Sequence, residues 1–363
     1  MPRVASTEAV LTVDLPAIVA NWKDLAARGA PGAVAGVVKA DGYGLGAAEV
    51  GRALRAAGCR HFFVAQLQEG IDLRAAIGPG PMIAVLGGFR PGEDGDAGLV
   101  PVMNSLGDVA AHAGAGRASG VARRAILHVD TGMARLGLDA GELARLSADH
   151  ALLAGIDLLY VMTHLACSDE ASHPMNAAQA ARFAAACAAL PAARRCFANS
   201  SGMFLGPGFA SDLSRPGCAL YGINPTPDRP NPMRQVVRLN APVLQVREIP
   251  AGTPVGYGAT WTAERPSRIA TVAVGYADGY LRSLSSRAVA DFRGRPVPLI
   301  GRVSMDLTTF DVTDLPEIAA GDRLTLIGGP GCSPDEVAAR AGTIGYEVLT
   351  SLGARYVRDY LRG

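Results

Sequence analysis

The feature that most constrains the fold is an alternation of short apolar runs with alanine-rich amphipathic segments. The segments between most runs have helical apolar spacing and a glycine near their end. Nearly continuous apolar strands that alternate with helices are typical of parallel pairing, buried on both faces. Eight such runs predict a (β/α)8 barrel, with an open doubly wound sheet as the alternative. The runs span residues 35–40, 61–66, 82–88, 99–105, 125–132, 156–164, 195–200 and 217–222.

The pattern changes after the proline-rich stretch TPDRPNPMRQ, beyond which apolar residues alternate in period two between Gly, Pro and Asp turns. One helical segment interrupts this pattern, and it begins with Ser333 followed three residues later by Glu336, a capping-box spacing. We therefore predict an α/β chain with an N-terminal (β/α)8 TIM-like barrel over 1–232 and a mostly β C-terminal domain over 233–363. The first strand, about residues 8–13, is a candidate to pair with the C-terminal domain.

Composition narrows the possible partners. The 363 residues are 49% hydrophobic and 18% charged, with a formal net charge of +1, which is typical of a globular chain without a nucleic-acid or membrane-surface partner. Six cysteines include no CxxC pair, so we expect reduced thiols, no metal site and a cytoplasmic location. The N-terminal segment lacks the apolar core of a signal peptide, and no apolar run reaches the ~18 residues of a membrane span.

Lys39, in the stretch VVKADGYGLGA, is one of only two lysines, whereas the other 32 of the 34 basic residues (34 − 2) are arginines. In a (β/α)8 barrel the active site lies at the carboxyl ends of the strands. Lys39, His164, Asn199 and Ser200 all stand near such ends, and the segment 130–135 follows the fifth candidate. These polar groups are therefore expected to converge on one face of the barrel.

A lysine can lose its proton and become a nucleophilic amine, which an arginine effectively cannot do. Burial in an apolar strand lowers the pKa of a lysine and favours that form. Lys39 therefore suits imine chemistry with a carbonyl substrate or with pyridoxal 5′-phosphate (PLP). The simpler interpretation is a surface lysine at a strand end, and the glycines of DGYGLG alone are consistent with an ordinary turn.

The stretch around Lys39 resembles the PLP-binding signature of the alanine racemase family, and further motifs match the family in its order along nearly the whole chain. The resemblance implies a fold-type III PLP enzyme with a barrel, a β-domain and a head-to-tail homodimer whose active sites are completed by the partner subunit. The matching motifs are HVDTGMARLG, THLACSDE, ANSSG, SRPGCALYG, VGYGATWTA, VGYADGY, GRVSMDLTTFDVTD and IGYEVLTSLGARY.

The same resemblance assigns roles to individual residues. Lys39 would hold PLP covalently and act as one of two bases, and Tyr257 of the partner subunit would act as the other. Arg135 would bind the substrate carboxylate together with the backbone N–H of Met305. The cofactor contacts implied in this way are Lys39, Tyr43, Arg135, His164, Asn199, Ser200, Arg215, Gly217, Cys218 and Tyr356.

Three positions depart from the family pattern. His128 stands where many members carry a lysine that becomes carbamylated and braces the active-site arginine, so no carbamate forms at that position. Cys196 stands where many members have a histidine that supports Arg215. Ala354 aligns with a tyrosine that reaches the phosphate, which leaves Tyr356, two residues away, as the candidate for that contact.

The activity implied is racemisation of L-alanine and D-alanine by two bases, which would supply D-alanine for peptidoglycan precursors. Alternatives within the same chemistry are a broader racemase acting on serine or lysine, a catabolic D-alanine racemase, or a group III decarboxylase. A PLP-carrier protein would resemble only the first domain, and a barrel aldolase would use Lys39 without PLP.

Overall fold

The structure is a computed structural model that describes residues 8–95 and 97–363. Residues 1–7 lie outside the described residues. They include the start of the predicted barrel domain and of the N-terminal segment that lacks the pattern of a signal peptide. The predicted fold class is confirmed, because a parallel barrel surrounded by helices is followed by a mostly β domain. In the part of the chain described, no helix is both long and apolar enough to cross a membrane.

The barrel closes through a divided first strand. Strand β1 (Val10–Asp14) belongs to the second domain, and the barrel strands follow it. Segments β2 and β3 are the two halves of the first barrel strand: β2 pairs with β10, and β3 pairs with β4. The nine segments therefore fill eight strand positions in the ring, and every pairing within it is parallel. The strand segments are β2 (Ala33–Val34), β3 (Gly36–Val37), β4 (His61–Val64), β5 (Met82–Val85), β6 (Val100–Met103), β7 (Arg123–His128), β8 (Ile156–Met162), β9 (Arg194–Cys196) and β10 (Leu213–Ser214).

In the described residues, six α-helices and one short left-handed turn, labelled α2, accompany the barrel. Several of the helices have the side-chain caps that satisfy free N–H groups at a helix start. Asp14 accepts a hydrogen bond from Ala17 N at 2.8 Å, and Asp139 with Glu142 forms a capping box. These segments are α1 (Leu15–Gly29), α2 (Lys39–Tyr43), α3 (Ala47–Ala56), α4 (Leu67–Ile77), α5 (Leu106–Ser119), α6 (Ala140–Ala148) and α7 (Pro174–Ala189).

The eighth strand corrects the sequence prediction. Residues 217–222 are not a strand: Cys218–Tyr221 form a 3₁₀ turn, and the eighth strand is the shorter β10 just before them. Pro216 has no N–H to donate to a ladder and so ends the strand. Ser200 Oγ then accepts the N–H groups of Gly217 at 2.9 Å and Ala219 at 3.3 Å, which holds the chain in a turn.

The second domain is an eight-stranded sheet plus a small two-stranded ribbon of β12 and β13. Strand β1 lies between β11, to which it is antiparallel, and β19, to which it is parallel. The N-terminal strand thereby joins the C-terminal sheet, while the predicted domain limits themselves stay a prediction. The strands are β11 (Val237–Ile249), β12 (Pro254–Val255), β13 (Trp261–Thr262), β14 (Ser267–Val272), β15 (Val289–Phe292), β16 (Arg295–Pro298), β17 (Thr308–Asp311), β18 (Arg323–Ile327) and β19 (Val357–Leu361).

The predicted capping box is confirmed at α8 (Pro334–Ala341), where Ser333 and Glu336 exchange hydrogen bonds with each other's backbone N–H. The helical segment is not continuous, because Gly342 adopts a left-handed conformation (φ 74°) that ends α8. A second helix, α9 (Gly345–Ser351), follows at once. This break brings α9 to the mouth of the barrel beside α2, against which it packs.

Candidate active site

A cavity of about 790 Å³ lies at the carboxyl ends of the barrel strands, a size within the usual range for small-molecule sites. It brings together nine of the residues predicted from the sequence. Two of them are arginines, so the cavity suits an anionic ligand. The nine residues are Lys39, Tyr43, Arg135, His164, Asn199, Ser200, Arg215, Gly217 and Cys218.

Lys39 stands at the start of an unusual turn just after β3. Ala40 and Asp41 (both φ 51°) and Tyr43 (φ 57°) adopt left-handed backbone angles, which are strained for residues with a Cβ. The Glu69 carboxylate accepts the Ala40 N–H at 2.6 Å and also the N–H groups of residues 65 and 66. Asp41 Oδ1 accepts the N–H of Ala47 at 2.8 Å. These contacts hold the strained turn that aims Lys39 into the cavity.

The surroundings of Lys39 favour its neutral form. Burial lowers the pKa of its amine, and the nearby positive charges of Arg135 and Arg215 lower it further, while the Glu69 carboxylate opposes them. An amine of lowered pKa is a better nucleophile and base near neutral pH than a free lysine. This setting agrees with the chemical role predicted for Lys39.

Arg215 is almost fully buried and is held by backbone carbonyls. Its Nη1 donates to the Cys196 carbonyl at 2.9 Å, and its Nη2 donates to the Thr163 carbonyl at 2.6 Å. Nη1 also contacts Cys196 Sγ at 3.0 Å. At position 196, where the resemblance implies a histidine in many members, Arg215 is thus held by a main-chain acceptor that any residue would provide and by the Cys196 thiol.

His164 is linked to the same arginine. Arg215 Nη2 lies 3.3 Å from His164 Nδ1, and because a guanidinium only donates, Nδ1 is the acceptor. Burial, together with the charge of Arg215, lowers the pKa of His164 well below its ordinary value. The imidazole is therefore neutral and carries its proton on Nε2.

The end of the cavity near Ser200 has the features of a phosphate site. Ser200 Oγ and the backbone of the Gly217–Ala219 turn lie together, and a Cβ at Gly217 would overlap the Tyr43 hydroxyl. Tyr43 stacks on Tyr221 with ring centroids 4.7 Å apart, which fixes its hydroxyl. Because Ser200 Oγ accepts the N–H groups of Gly217 and Ala219, the hydroxyl groups of Ser200 and Tyr43 are the neutral donors left at this end, and such donors suit an anion.

Two neighbours complete this end of the cavity. Asn199 Oδ1 accepts the Ser168 hydroxyl at 2.9 Å and the N–H of Gly202 at 2.8 Å, so its amide group is fixed. Burial raises the pKa of the Cys218 thiol to about 11, which keeps it protonated and unreactive. Cys218 is therefore suited to contribute through its backbone.

His128, which stands where the resemblance implies a carbamylated lysine in many members, is fixed in one tautomer. The Asn104 amide donates to the carbonyls of Leu86 at 3.0 Å and Val102 at 3.1 Å, so its Oδ1 must accept the Nδ1–H of His128 at 2.8 Å. Burial, with the charge of Arg215, lowers the pKa of His128 to about 4. The ring is thus a neutral acceptor through Nε2 in the electrostatic neighbourhood of Arg135.

Three predicted residues do not line the cavity. Tyr257 and Met305 lie in the C-terminal domain with 71% and 53% of their surfaces exposed. Tyr356 is buried and its hydroxyl has no hydrogen-bond partner in the part of the chain described. Tyr346 of α9 lines the cavity instead, so its position suits the phosphate contact expected of Tyr356 better than the position of Tyr356 does. Both tyrosines stand in the motif IGYEVLTSLGARY, and counting along that motif does not show which one faces the barrel.

The fold and the cavity define a (β/α)8-barrel enzyme with a lysine amine beside an anion cradle and a second, mostly β domain. The chain belongs to the alanine racemase family. The model of the family's N-terminal domain matches residues 13–225, and the model of its C-terminal domain matches residues 236–360.

Relatives resemble the chain over almost its whole length. An alanine racemase of Acidiphilium cryptum is 57% identical over 96% of this chain and 97% of its own, and a catabolic alanine racemase of Mesorhizobium japonicum is 49% identical over 99% and 95%. Among solved structures, the alanine racemase of Bartonella henselae with covalently bound pyridoxal phosphate has a TM-score of 0.94 at 42% identity, covering 98% of this chain and all of that one.

Proposed function

We propose that the protein interconverts L-alanine and D-alanine with PLP held at Lys39. The observation that carries this proposal is the position of Lys39: a buried amine of lowered pKa, at the end of a barrel strand, in a cavity that also holds Arg135, Arg215 and a cradle of neutral donors. Membership in the alanine racemase family supports the same activity and the same cofactor.

The residues present fit PLP. The Lys39 amine can bind its carbonyl carbon, and the hydroxyl groups of Ser200, Tyr43 and Tyr346 can hold its phosphate. The N–H groups of Gly217 and Ala219 donate to Ser200 Oγ here and would exchange that acceptor for a phosphate oxygen. Arg215 cannot accept a hydrogen bond and keeps its own proton, so it would leave a ring nitrogen unprotonated. When bound, PLP stabilises negative charge at the substrate Cα.

Two bases act on opposite faces of the substrate Cα in this proposal. From L to D, Tyr257 removes the proton and Lys39 returns one, and from D to L the roles are exchanged. Tyr257 is 71% exposed and Met305 is 53% exposed in the single chain. Their exposure supports a head-to-tail homodimer in which both residues complete the site of the partner subunit.

Arg135 would bind the substrate carboxylate, with His128 as its support. Asn104 fixes the neutral His128 ring, which lies in the electrostatic neighbourhood of Arg135. In this proposal the ring would support Arg135 as a neutral acceptor, at the position where the resemblance implies a carbamate in many members. A neutral acceptor is a weaker partner for a guanidinium than an anion is. Arg135 would consequently keep more of its positive charge for the substrate.

We propose that the D-alanine formed supplies peptidoglycan precursors and that the enzyme works in the cytoplasm. All six cysteines, which lie within the described residues, are free thiols, as expected in a reducing compartment. A catabolic role, in which D-alanine is converted to L-alanine, is the second candidate. It is favoured by the relatives named as catabolic alanine racemases, which are 46% and 49% identical.

Turnover on a panel of L-amino acids, followed by chiral chromatography, tests the proposed activity. We expect L-alanine to give a mixture of both enantiomers in the presence of PLP, with much slower turnover of serine and lysine. Inactivity on alanine together with activity on serine or lysine would overturn the proposal.

A further inference from the structure

We infer that Arg355 is a positioning residue that fixes the loop carrying Met305 and that it acts on the active site of the partner subunit. The inference rests on the proposed function, in which the Met305 N–H meets a substrate carboxylate held by a second copy of the chain. Arg355 pairs with the carboxylates of Asp278 and Asp306, and we call these three residues the Arg355 bridge.

The Met305 loop is held by its carbonyl groups. Ser304 N donates to the Leu307 carbonyl at 2.9 Å, which closes the loop as a tight turn. From the neighbouring turn at 275–278, Tyr276 N donates to the Ser304 carbonyl at 3.0 Å and Ala277 N donates to the Met305 carbonyl at 2.9 Å. Among the residues described, the Met305 N–H has no acceptor, so the loop keeps this donor free for a ligand.

The supporting turn approaches the loop too closely to admit a side chain. A Cβ at Gly275 would overlap the carbonyl oxygens of Ser304 and Met305. Gly275 N in turn donates to Asp278 Oδ2 at 2.9 Å. The position of the Met305 N–H is therefore set by the turn at 275–278, and Asp278 orders that turn.

Arg355 ties the turn to the loop. Its Nε lies 3.1 Å from Asp278 Oδ1, and its Nη1 donates to Asp306 Oδ1 at 2.8 Å. The Asp278 side chain is 7% exposed, whereas those of Arg355 and Asp306 are 53% and 55% exposed. A buried carboxylate needs a partner, and the planar guanidinium can serve it while a second nitrogen reaches the neighbouring residue of Met305.

Removal of the cation would leave two carboxylates side by side without compensation. Asp306 would then move away from Asp278, and Met305, its neighbour in the chain, would lose its fixed position. A lysine at 355 supplies the charge from a single nitrogen and cannot hold both carboxylates with separate donors. The Arg355 bridge is thus expected to control how well Met305 meets a substrate carboxylate, without touching the substrate itself.

Kinetics distinguish this role from general stabilisation. A contact with the carboxylate exists in the ground state and in the transition state alike, so its loss raises KM while kcat stays nearly constant. We expect Arg355→Gln to raise the KM for alanine roughly tenfold with kcat within about twofold, Asp306→Asn to do the same, and Arg355→Lys to lie between. Arg265→Gln, which breaks the exposed Arg265–Asp314 pair of the same domain, serves as the matched control and should leave KM unchanged.

Mixed dimers carrying two different tags test whether the bridge acts on the partner subunit. In one dimer, a Lys39→Ala, Arg355→Gln chain is paired with the wild-type chain, so the only working lysine meets an altered loop. In the other, a Lys39→Ala chain is paired with an Arg355→Gln chain, so the only working lysine meets an intact loop. We expect the raised KM in the first dimer and the wild-type KM in the second.

The opposite pattern, or the same KM in both dimers, would overturn the inference. The inference would also be overturned if Arg355→Gln lowered kcat by the same factor as it raised KM. It would likewise fail if the variant lowered only the melting temperature and left KM unchanged, because Arg355 would then have a purely structural role. A wild-type chain that racemises alanine as a monomer would contradict the dimer of the proposed function and this inference together. A wild-type dimer inactive on alanine would instead contradict the proposed activity.

Discussion

At the scale of single residues, the two proposed bases differ in where they stand. Lys39 lies inside the cavity of its own chain, whereas Tyr257 lies in the ribbon turn between β12 and β13 and is mostly exposed. The two proposed carboxylate-binding groups show the same division, with Arg135 in the cavity and Met305 outside it. In the proposed mechanism, the barrel therefore acts on one face of the substrate and the second domain acts on the other.

Tyr257→Phe should affect the two enantiomers unequally. Removal of the phenol hydroxyl deletes the base that acts on L-alanine but leaves Lys39 able to act on D-alanine. We expect exchange of the α-proton of L-alanine with deuterated solvent to slow by about 10²–10⁴-fold, with a much smaller change for D-alanine. Equal losses on both enantiomers, measured by NMR, would contradict the assignment of the two bases.

His128 predicts a specific pH dependence of stability. Its pKa is about 4 in the folded chain but about 6.5 when unfolded, so protons bind the unfolded chain first as pH falls. The stabilisation is present above pH 6.5 and is lost toward pH 4. Between pH 7.5 and pH 4.5, the wild type should lose about 2–3 kcal/mol more unfolding free energy than His128→Gln does. Urea denaturation of both proteins at both pH values measures the difference. Equal losses of unfolding free energy in the wild type and the variant would contradict the prediction.

At the scale of elements, the left-handed turn after β3 links Lys39 to α9. Gly44, which ends α2, has φ 80° and lies against the backbone of α9, where a Cβ would overlap the Leu349 carbonyl oxygen. Arg358 donates to the Gly44 carbonyl at 2.6 Å from the strand β19. Lys39 and Tyr346 are therefore positioned by one packed junction between the two domains.

Gly44→Ala tests that junction, with Gly120→Ala as the matched control. Gly120, after α5, has nearly the same backbone angles (φ 70°, ψ 6° against φ 80°, ψ 2°), but a Cβ added there would meet no atom within 4 Å. Gly120→Ala should cost only the backbone strain of about 1 kcal/mol and keep activity. Gly44→Ala should cost about 2–4 kcal/mol and reduce activity, because the overlap displaces the Lys39 turn or α9. Thermal unfolding and turnover measure both variants. Equal losses of stability and activity in Gly44→Ala and Gly120→Ala would show that the packing of Gly44 against α9 does not position the site.

The elements also show which structural information is local in the sequence. The periodicity predicted seven of the eight barrel strands, and the Ser333–Glu336 spacing predicted the start of α8, because both signals involve neighbouring residues. The eighth strand was misplaced onto Cys218–Tyr221, since its apolar run resembles a strand and the turn is imposed by Ser200. The role of Glu69 was missed because it spans 29 residues to Ala40.

At the scale of the whole molecule, the meeting of parallel strand ends predicted that Lys39, His164, Asn199, Ser200 and the segment 130–135 converge. The resemblance to the alanine racemase family implied the other site residues, and nine residues predicted in these two ways line one cavity. The sequence prediction named Tyr356, whereas Tyr346 lines the cavity, because the position of each tyrosine depends on how α9 packs on the barrel. It also could not show that Cys196 supports Arg215 through its carbonyl, an interaction independent of residue type. Side-chain chemistry was readable, whereas packing between domains was not.

The proposed division of each active site between two chains makes a quantitative prediction for mixtures. Lys39→Ala and Tyr257→Phe each remove one base from every site of their own dimers, so each homodimer should racemise L-alanine very slowly. In a mixed dimer both defects fall in the same site, and the other site has the intact Lys39 of one chain and the intact Tyr257 of the other. After unfolding and refolding an equal mixture, half of the dimers are mixed and each has one working site of two. We therefore expect roughly a quarter of the wild-type activity to return. No recovery, with mixed dimers shown by native mass spectrometry, would place both bases in the same chain.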